Sequence, residues 1–175
     1  MIYYRNTTIN GLNVFYREAG SPDSPTLVLL HGFPSSSHMF RDLIPQLEDR
    51  FHVIAADYIG FGYSAQPDPS AFTYSFEELA KYVKDLLFGV LDLKHFSLYV
   101  QDYGAPIGFR IASDHPEAIE EIIVQNGNAY LEGISAAFEP LNAFWANRNT
   151  ETEKPVRELL TAATTKFQYT HGAKI

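Results

Sequence analysis

Four short apolar runs constrain this chain more than any other feature: TLVLL at 26–30, FHVIAA at 51–56, FSLYVQ at 96–101 and EIIVQ at 121–125. A strand with one face in water alternates polar and apolar residues. A run such as TLVLL has no outward polar face and fits a strand covered on both sides. Between the runs the periodicity changes. Phe40, Leu43, Ile44 and Leu47 recur at helical spacing, and 75–89 carries Phe76, Leu79, Tyr82, Val83, Leu86 and Leu87 on one face. A further helix is predicted over 103–114, stopped by Pro116. Ahead of all this, 2–9 and 12–19 are rich in β-formers and flank Asn10-Gly11, a hairpin signal. The order is an antiparallel hairpin followed by β–α–β–loop–α–β–α–β, which predicts an α/β protein: a mostly parallel sheet with flanking helices. Beyond Asn126 no strand follows, and 134–148 and 152–166 are predicted helical. The chain thus reads as a sheet-bearing part, 1–129, and a helical part, 130–175.

Composition narrows the function classes. A formal net charge of −8 argues against nucleic acid and anionic membranes as partners, since both reward basic patches. With no cysteine there is no disulfide and no thiolate metal site. No apolar run is long enough to span a membrane, and MIYYRNTTIN lacks the charged-then-apolar pattern of a signal peptide, so the expectation is a soluble cytoplasmic protein. Asn6-Thr7-Thr8 matches a glycosylation pattern and is read as a turn. Gly60-x-Gly62-x-x-Ala65 mimics a dinucleotide fingerprint, but Gln66-Pro67-Asp68-Pro69 follows where a helix should open. No cofactor and no metal are expected.

In an open parallel sheet, chemistry sits beyond the carboxyl ends of the strands. Three such ends stand out. At Val100-Gln101-Asp102-Tyr103-Gly104 a strand passes through Asp102 directly into a helix, the form of a nucleophile elbow with Asp in the nucleophile's place and Val100 where the first Gly usually stands. An ordinary helix cap is the competing reading of Asp102. His31-Gly32-Phe33-Pro34 ends an earlier buried strand and places the Phe33 N–H where an oxyanion hole needs its second donor. The third loop, Asp57 to Ser64, is read as a structural turn, and Ser64 is not taken as a nucleophile because prolines rather than a helix follow it.

Together these loops resemble the α/β-hydrolase superfamily over residues 12–127, and within it the branch with an aspartate nucleophile, the epoxide hydrolases and haloalkane dehalogenases. The resemblance implies Asp102 as nucleophile and the backbone N–H groups of Phe33 and Tyr103 as oxyanion hole. It implies that the chain breaks off after the sixth strand, with 130–175 the start of the family's helical cap. Dehalogenases of this branch carry Trp after the nucleophile and often Asn after His-Gly; Tyr103 and Phe33 stand there instead, closer to the epoxide hydrolase pattern. Cap tyrosines donate to the epoxide oxygen in that group, for which Tyr130 and Tyr169 are the candidates. Trp145, with Phe33, Phe61, Tyr63, Tyr103 and Phe144, suggests a small apolar substrate. The family's relay acid and His follow later strands, and none of His31, His38, His52, His95, His115 or His171 stands where the relay needs one. The resulting expectation is an epoxide-hydrolase-like enzyme that forms an alkyl-enzyme ester on Asp102. A non-catalytic remnant or binding module is the first alternative, and a haloalkane-dehalogenase-like enzyme the second. An exposed sheet edge at Ile122-Ile123-Val124 is expected to invite self-association.

Overall fold

Asn10 and Gly11 sit at φ 48° and 81°, both left-handed, which folds strand β1 (Tyr3–Ile9) back onto β2 (Leu12–Ala19) with Ile9 opposite Leu12. Asn and Gly tolerate that backbone where a bulkier residue would clash. A computed structural model describes residues 1–172 of the chain. Its remaining strands are β3 (Thr26–Leu30), β4 (His52–Ala56), β5 (Phe96–Gln101) and β6 (Ile119–Gln125). They join one six-stranded sheet in the order β1-β2-β4-β3-β5-β6. β2 meets β4 antiparallel; β3, β4, β5 and β6 run parallel to one another.

The two faces of β3 go to two different cores, as the two-residue period of a strand requires. Val28 and Leu30 pack with Ile54, Leu79, Val83, Leu98, Ile107 and Ile111, under helices α2 (Phe76–Lys84) and α3 (Gly104–Asp114). Leu27 and Leu29 pack with Phe40, Ile44, Val53 and Ala55 on the opposite side. Every residue of β3 and β4 is buried, so the apolar runs are apolar because no face of them meets water. β6 differs. Among the described residues it is paired on one side only, by β5, and Ile122, Ile123 and Val124 are 40%, 45% and 48% exposed.

Three helix expectations need correction. The segment around Phe40–Leu47 is not one helix but a 3-10 turn (Ser37–Phe40) and a single α-turn, α1 (Ile44–Leu47). Pro45 has no N–H to donate backwards, so a helix starts at it but does not run through it. The helix expected to reach Gly89 keeps α-geometry only to Lys84 and continues as a π-helix over Asp85–Val90. The third correction lies past residue 129, where the chain forms a second compact unit from Tyr130 onward. That unit holds α4 (Glu139–Ala146), α5 (Thr150–Glu158) and α6 (Ala162–Thr170). The single helix expected at 152–166 is split because Thr161 caps a new one, its hydroxyl accepting from the Thr164 N–H at 3.3 Å. Among the described residues no helix is long and apolar enough to cross a membrane.

Candidate active site

β5 ends at Gln101 and α3 begins at Gly104, leaving two residues for the turn. Asp102 makes it in the left-handed region at φ 50°. For a non-glycine residue that backbone costs about 1–3 kcal/mol and persists only where the surroundings enforce it. Glycines make room for it here. A Cβ on Gly104 would overlap the Leu30 carbonyl, and one on Gly32 would overlap the Gln101 side chain and the Asp102 Cβ. Both positions therefore let the end of β3 lie directly against the turn. Val100, standing where the usual pattern has Gly, is fully buried, and the space for it comes from Gly108 on α3, whose Cβ would strike Val100. That compensation is four residues beyond the elbow and was not visible from the pentapeptide.

Both donors converge on one oxygen. The Phe33 N–H donates to Asp102 Oδ1 at 2.8 Å and the Tyr103 N–H to the same oxygen at 2.7 Å. Asp102 is half-buried, and the position before α3 is held by Tyr103 with no side-chain cap. The helix-cap reading of Asp102 is thus not what the structure presents: the carboxylate turns to the β3 loop. The rings of the two donor residues belong to one aromatic cluster. Phe33 and Tyr103 lie 5.2 Å apart between centroids, Phe61 lies 6.3 Å from Phe33 and 6.2 Å from Tyr103, and Phe76 lies 4.9 Å from Tyr103. Burial, and secondly the charge of Asp102, push the Tyr103 phenol above its usual pKa, so it stays protonated and able to donate.

Residues 25–171 match the family model for the alpha/beta hydrolase fold. The chain belongs to the α/β-hydrolase family. It is 45% identical over 143 residues to an uncharacterized hydrolase of Saccharomyces cerevisiae, covering 81% of this chain and 48% of that protein. It is 40% identical over 117 residues to a haloalkane dehalogenase of Mycobacterium marinum, covering 66% and 39%. The structure of the epoxide hydrolase CorEH superposes with a TM-score of 0.69 at 27% identity, covering 86% of this chain and 53% of that one. The chain spans about half the length, or less, of the curated relatives it matches.

Within this hydrolase fold the Asp57 loop is a brace. The buried Asp57 carboxylate accepts from the Ser37 N–H at 2.7 Å and the Tyr63 N–H at 2.9 Å. Ser64 is consumed in the same turn, donating to the Asp57 carbonyl at 2.6 Å and accepting from the Phe15 N–H at 2.9 Å. Of the residues the sequence singled out, Asp102, Phe33 and Tyr103 meet in the first unit. Tyr130, Trp145 and Tyr169 belong to the second unit, Trp145 on α4 and Tyr169 on α6, and all three are exposed. His52 bonds Thr26 Oγ1 at 3.2 Å and Glu18 Oε1 at 3.1 Å, His115 ends α3, and His171 stacks on Phe167. Among the described residues no group of His, Asp and Glu could hold a metal ion.

His31 is fully buried, stacked on Tyr58 with centroids 4.0 Å apart. Burial pulls its imidazole below the ordinary pKa of 6.5, outweighing upward pulls from the Gly32 carbonyl, Asp57 and Asp102. The unfolded chain takes up this proton as pH falls below about 6.5, whereas the folded chain resists it to lower pH. The stability His31 contributes is therefore present above 6.5 and lost as pH falls through its folded value. We expect the melting temperature to drop between pH 7 and pH 5, and to drop less steeply in His31→Leu. Equal slopes in the two proteins would remove His31 as the source. Glu18 adds its own loss only in stronger acid: burial raises it, but hydrogen bonds from His52 and Arg5 outweigh burial and hold it below the usual carboxylate range.

Proposed function

We propose that this protein is a hydrolase of small apolar epoxides that works through an ester on Asp102. The observation that carries the reading is the asymmetry of the Asp102 carboxylate: Oδ1 receives both backbone N–H groups and Oδ2 receives neither. A carboxylate is anionic at neutral pH and needs no base before it attacks an sp³ carbon. Oδ2 is the free nucleophile. When it bonds to the epoxide carbon, the carbon–oxygen bond opens and the leaving alkoxide takes a proton from water, which is left as hydroxide. Oδ1 is then the ester carbonyl oxygen, already held by the two donors that would stabilise the oxyanion when water attacks. A serine would form an ether at an sp³ carbon, which water could not cleave. The rim of Phe33, Phe61, Phe76 and Tyr103 suits an apolar, aryl-bearing substrate.

The haloalkane dehalogenase reading is favoured by the 40% identical relative and opposed by Phe33 and Tyr103 at the two positions noted above. One experiment separates the two. The chain is incubated with a styrene-type epoxide and, separately, with a bromoalkane, and the intact mass is measured. An epoxide adds its whole mass to Asp102; a bromoalkane adds only the alkyl group and releases bromide. Adduct from the epoxide alone supports the proposal. Adduct with bromide release from the bromoalkane alone replaces it with the dehalogenase reading, and no adduct from either leaves the non-catalytic reading.

The exposed Ile122-Ile123-Val124 stretch on a strand paired on one side supports a second property, self-association through β6. Size exclusion should show a concentration-dependent shift to larger species, suppressed in Ile123→Lys. A monomer at every concentration would count against it.

A further inference from the structure

The geometry points to His31 as a positioning residue for the oxyanion hole: its Nδ1–H clamps the peptide unit whose other end supplies the Phe33 N–H to Asp102. The Gly32 carbonyl and the Phe33 N–H belong to one planar peptide. At one edge of that peptide the Gly32 oxygen lies 3.0 Å from His31 Nδ1, and at the opposite edge the Phe33 N–H donates to Asp102 Oδ1 at 2.8 Å. A carbonyl only accepts, so Nδ1 carries the proton, and His31 is the Nδ1–H tautomer when neutral. The ring is itself held, stacked on Tyr58 at 4.0 Å with Phe61 edge-on at 5.4 Å, while the Tyr58 hydroxyl donates to the His31 carbonyl at 2.9 Å.

Satisfying the Gly32 carbonyl does not by itself require a histidine. That oxygen also accepts from the Ser35 N–H at 3.0 Å, and His31 Nε2, buried on the other side of the ring, meets no donor among the described residues. The second donor does two things that folding does not need. It fixes the rotation of the peptide plane, and so the aim of the Phe33 N–H. It also draws charge toward the Gly32 oxygen, which makes the N–H at the far end of the same peptide a stronger donor; hydrogen bonds in a chain polarise one another by about 10–30% each. In a half-buried site that strengthening acts directly on Oδ1. The kinetic consequence rests on the proposed role of Asp102, but the contact itself does not.

The test compares two variants of nearly the same shape. His31→Asn keeps a side-chain N–H close to where Nδ1 stood; His31→Leu has the branching of Asn and no donor. Both lose the imidazole stack on Tyr58, so the difference between them reads the donor alone. In backbone NMR of the labelled chain, the Phe33 amide proton should lie downfield in the wild type and in His31→Asn, and should move upfield in His31→Leu. The rate of adduct formation with a styrene-type epoxide should be about tenfold lower in His31→Leu than in His31→Asn, a part of the 10²–10³ that losing a whole oxyanion donor costs. Equal Phe33 shifts in the two variants would make His31 a packing residue and overturn the inference. A measurement on the unmutated chain stands even if a variant fails to fold: the long-range ¹H–¹⁵N imidazole spectrum must show the proton of His31 on Nδ1, and finding it on Nε2 would overturn the inference equally. The amide shift and the tautomer decide the matter without catalysis; a wild-type chain that forms no adduct would sink the proposed function instead.

Discussion

Incubated with a styrene-type epoxide, the wild-type chain is expected to accumulate one stable adduct on Asp102, and Asp102→Asn none. Attack needs an anionic oxygen, its aim, and a donor for the departing oxygen; an amide is a far weaker nucleophile, so the loss should exceed about 10³-fold. The adduct should persist because hydrolysis needs a base for water, and three of the first unit's five histidines are engaged elsewhere. His31 bonds Gly32, His52 bonds Thr26 and Glu18, and His115 ends α3 beside Glu117. A missing general base typically costs 10²–10⁴ in rate. Asp102→Asn should also melt within about 1 °C of the wild type. Asn is the non-glycine residue best suited to φ 50°, and its amide oxygen can still accept from Phe33 and Tyr103. Loss of the adduct in a protein of unchanged stability is the diagnostic pair. An adduct that remains in Asp102→Asn, or maps to another residue in the wild type, would displace Asp102 as nucleophile. Steady turnover by the chain would mean that it holds a base, and His171 would be the first residue to replace.

The second large effect is expected at Asp57, and on stability rather than chemistry. Asp57→Ala removes a buried carboxylate that two backbone N–H groups share, and leaves the Ser37 N–H buried without its acceptor. Hydrogen bonds to a charged group contribute about 1.5–3 kcal/mol each, so the cost should be about 3–5 kcal/mol. In a domain of this size that lowers the melting temperature by roughly 10 °C. Asp57→Asn should fall between, since one oxygen can still accept from Ser37 while the amide nitrogen opposes the Tyr63 N–H. A melting temperature for Asp57→Ala within 2 °C of the wild type would contradict the brace.

How much of this was legible in the residues differs from element to element. The run at 26–30 and the Asn10-Gly11 turn were readable because each is set by local chemistry: an unbroken apolar run needs two covered faces, and two successive left-handed residues make a tight hairpin. The helix boundaries were less so. Pro45 splits one expected helix and the Thr161 cap splits another, and both signals were present in the sequence but outweighed by the apolar spacing around them. The change to a π-helix at Asp85 has no signal in the spacing at all.

At the site the division is sharper. The sequence by itself determined that an acidic residue stands between a buried strand and a helix, that Gly104 stands two positions after it, and that a His-Gly-Phe-Pro loop ends another strand. Those facts follow from residue type and order, because strand burial and left-handed turns are decided over a few residues. Only the tertiary structure decided that Phe33, 69 positions from Asp102, donates to the same oxygen as Tyr103. It also decided that Gly108 makes room for Val100, and that His31 grips the far end of the Phe33 peptide. The first of these joins segments distant in sequence, set by the pairing of β3 beside β5 and by the absence of a Cβ at Gly32 and Gly104; the other two join near neighbours whose approach depends on how the strand ends and α3 pack. Order along the chain names the groups that can react. Which oxygen is held and which is free depends on how closely two strand ends approach.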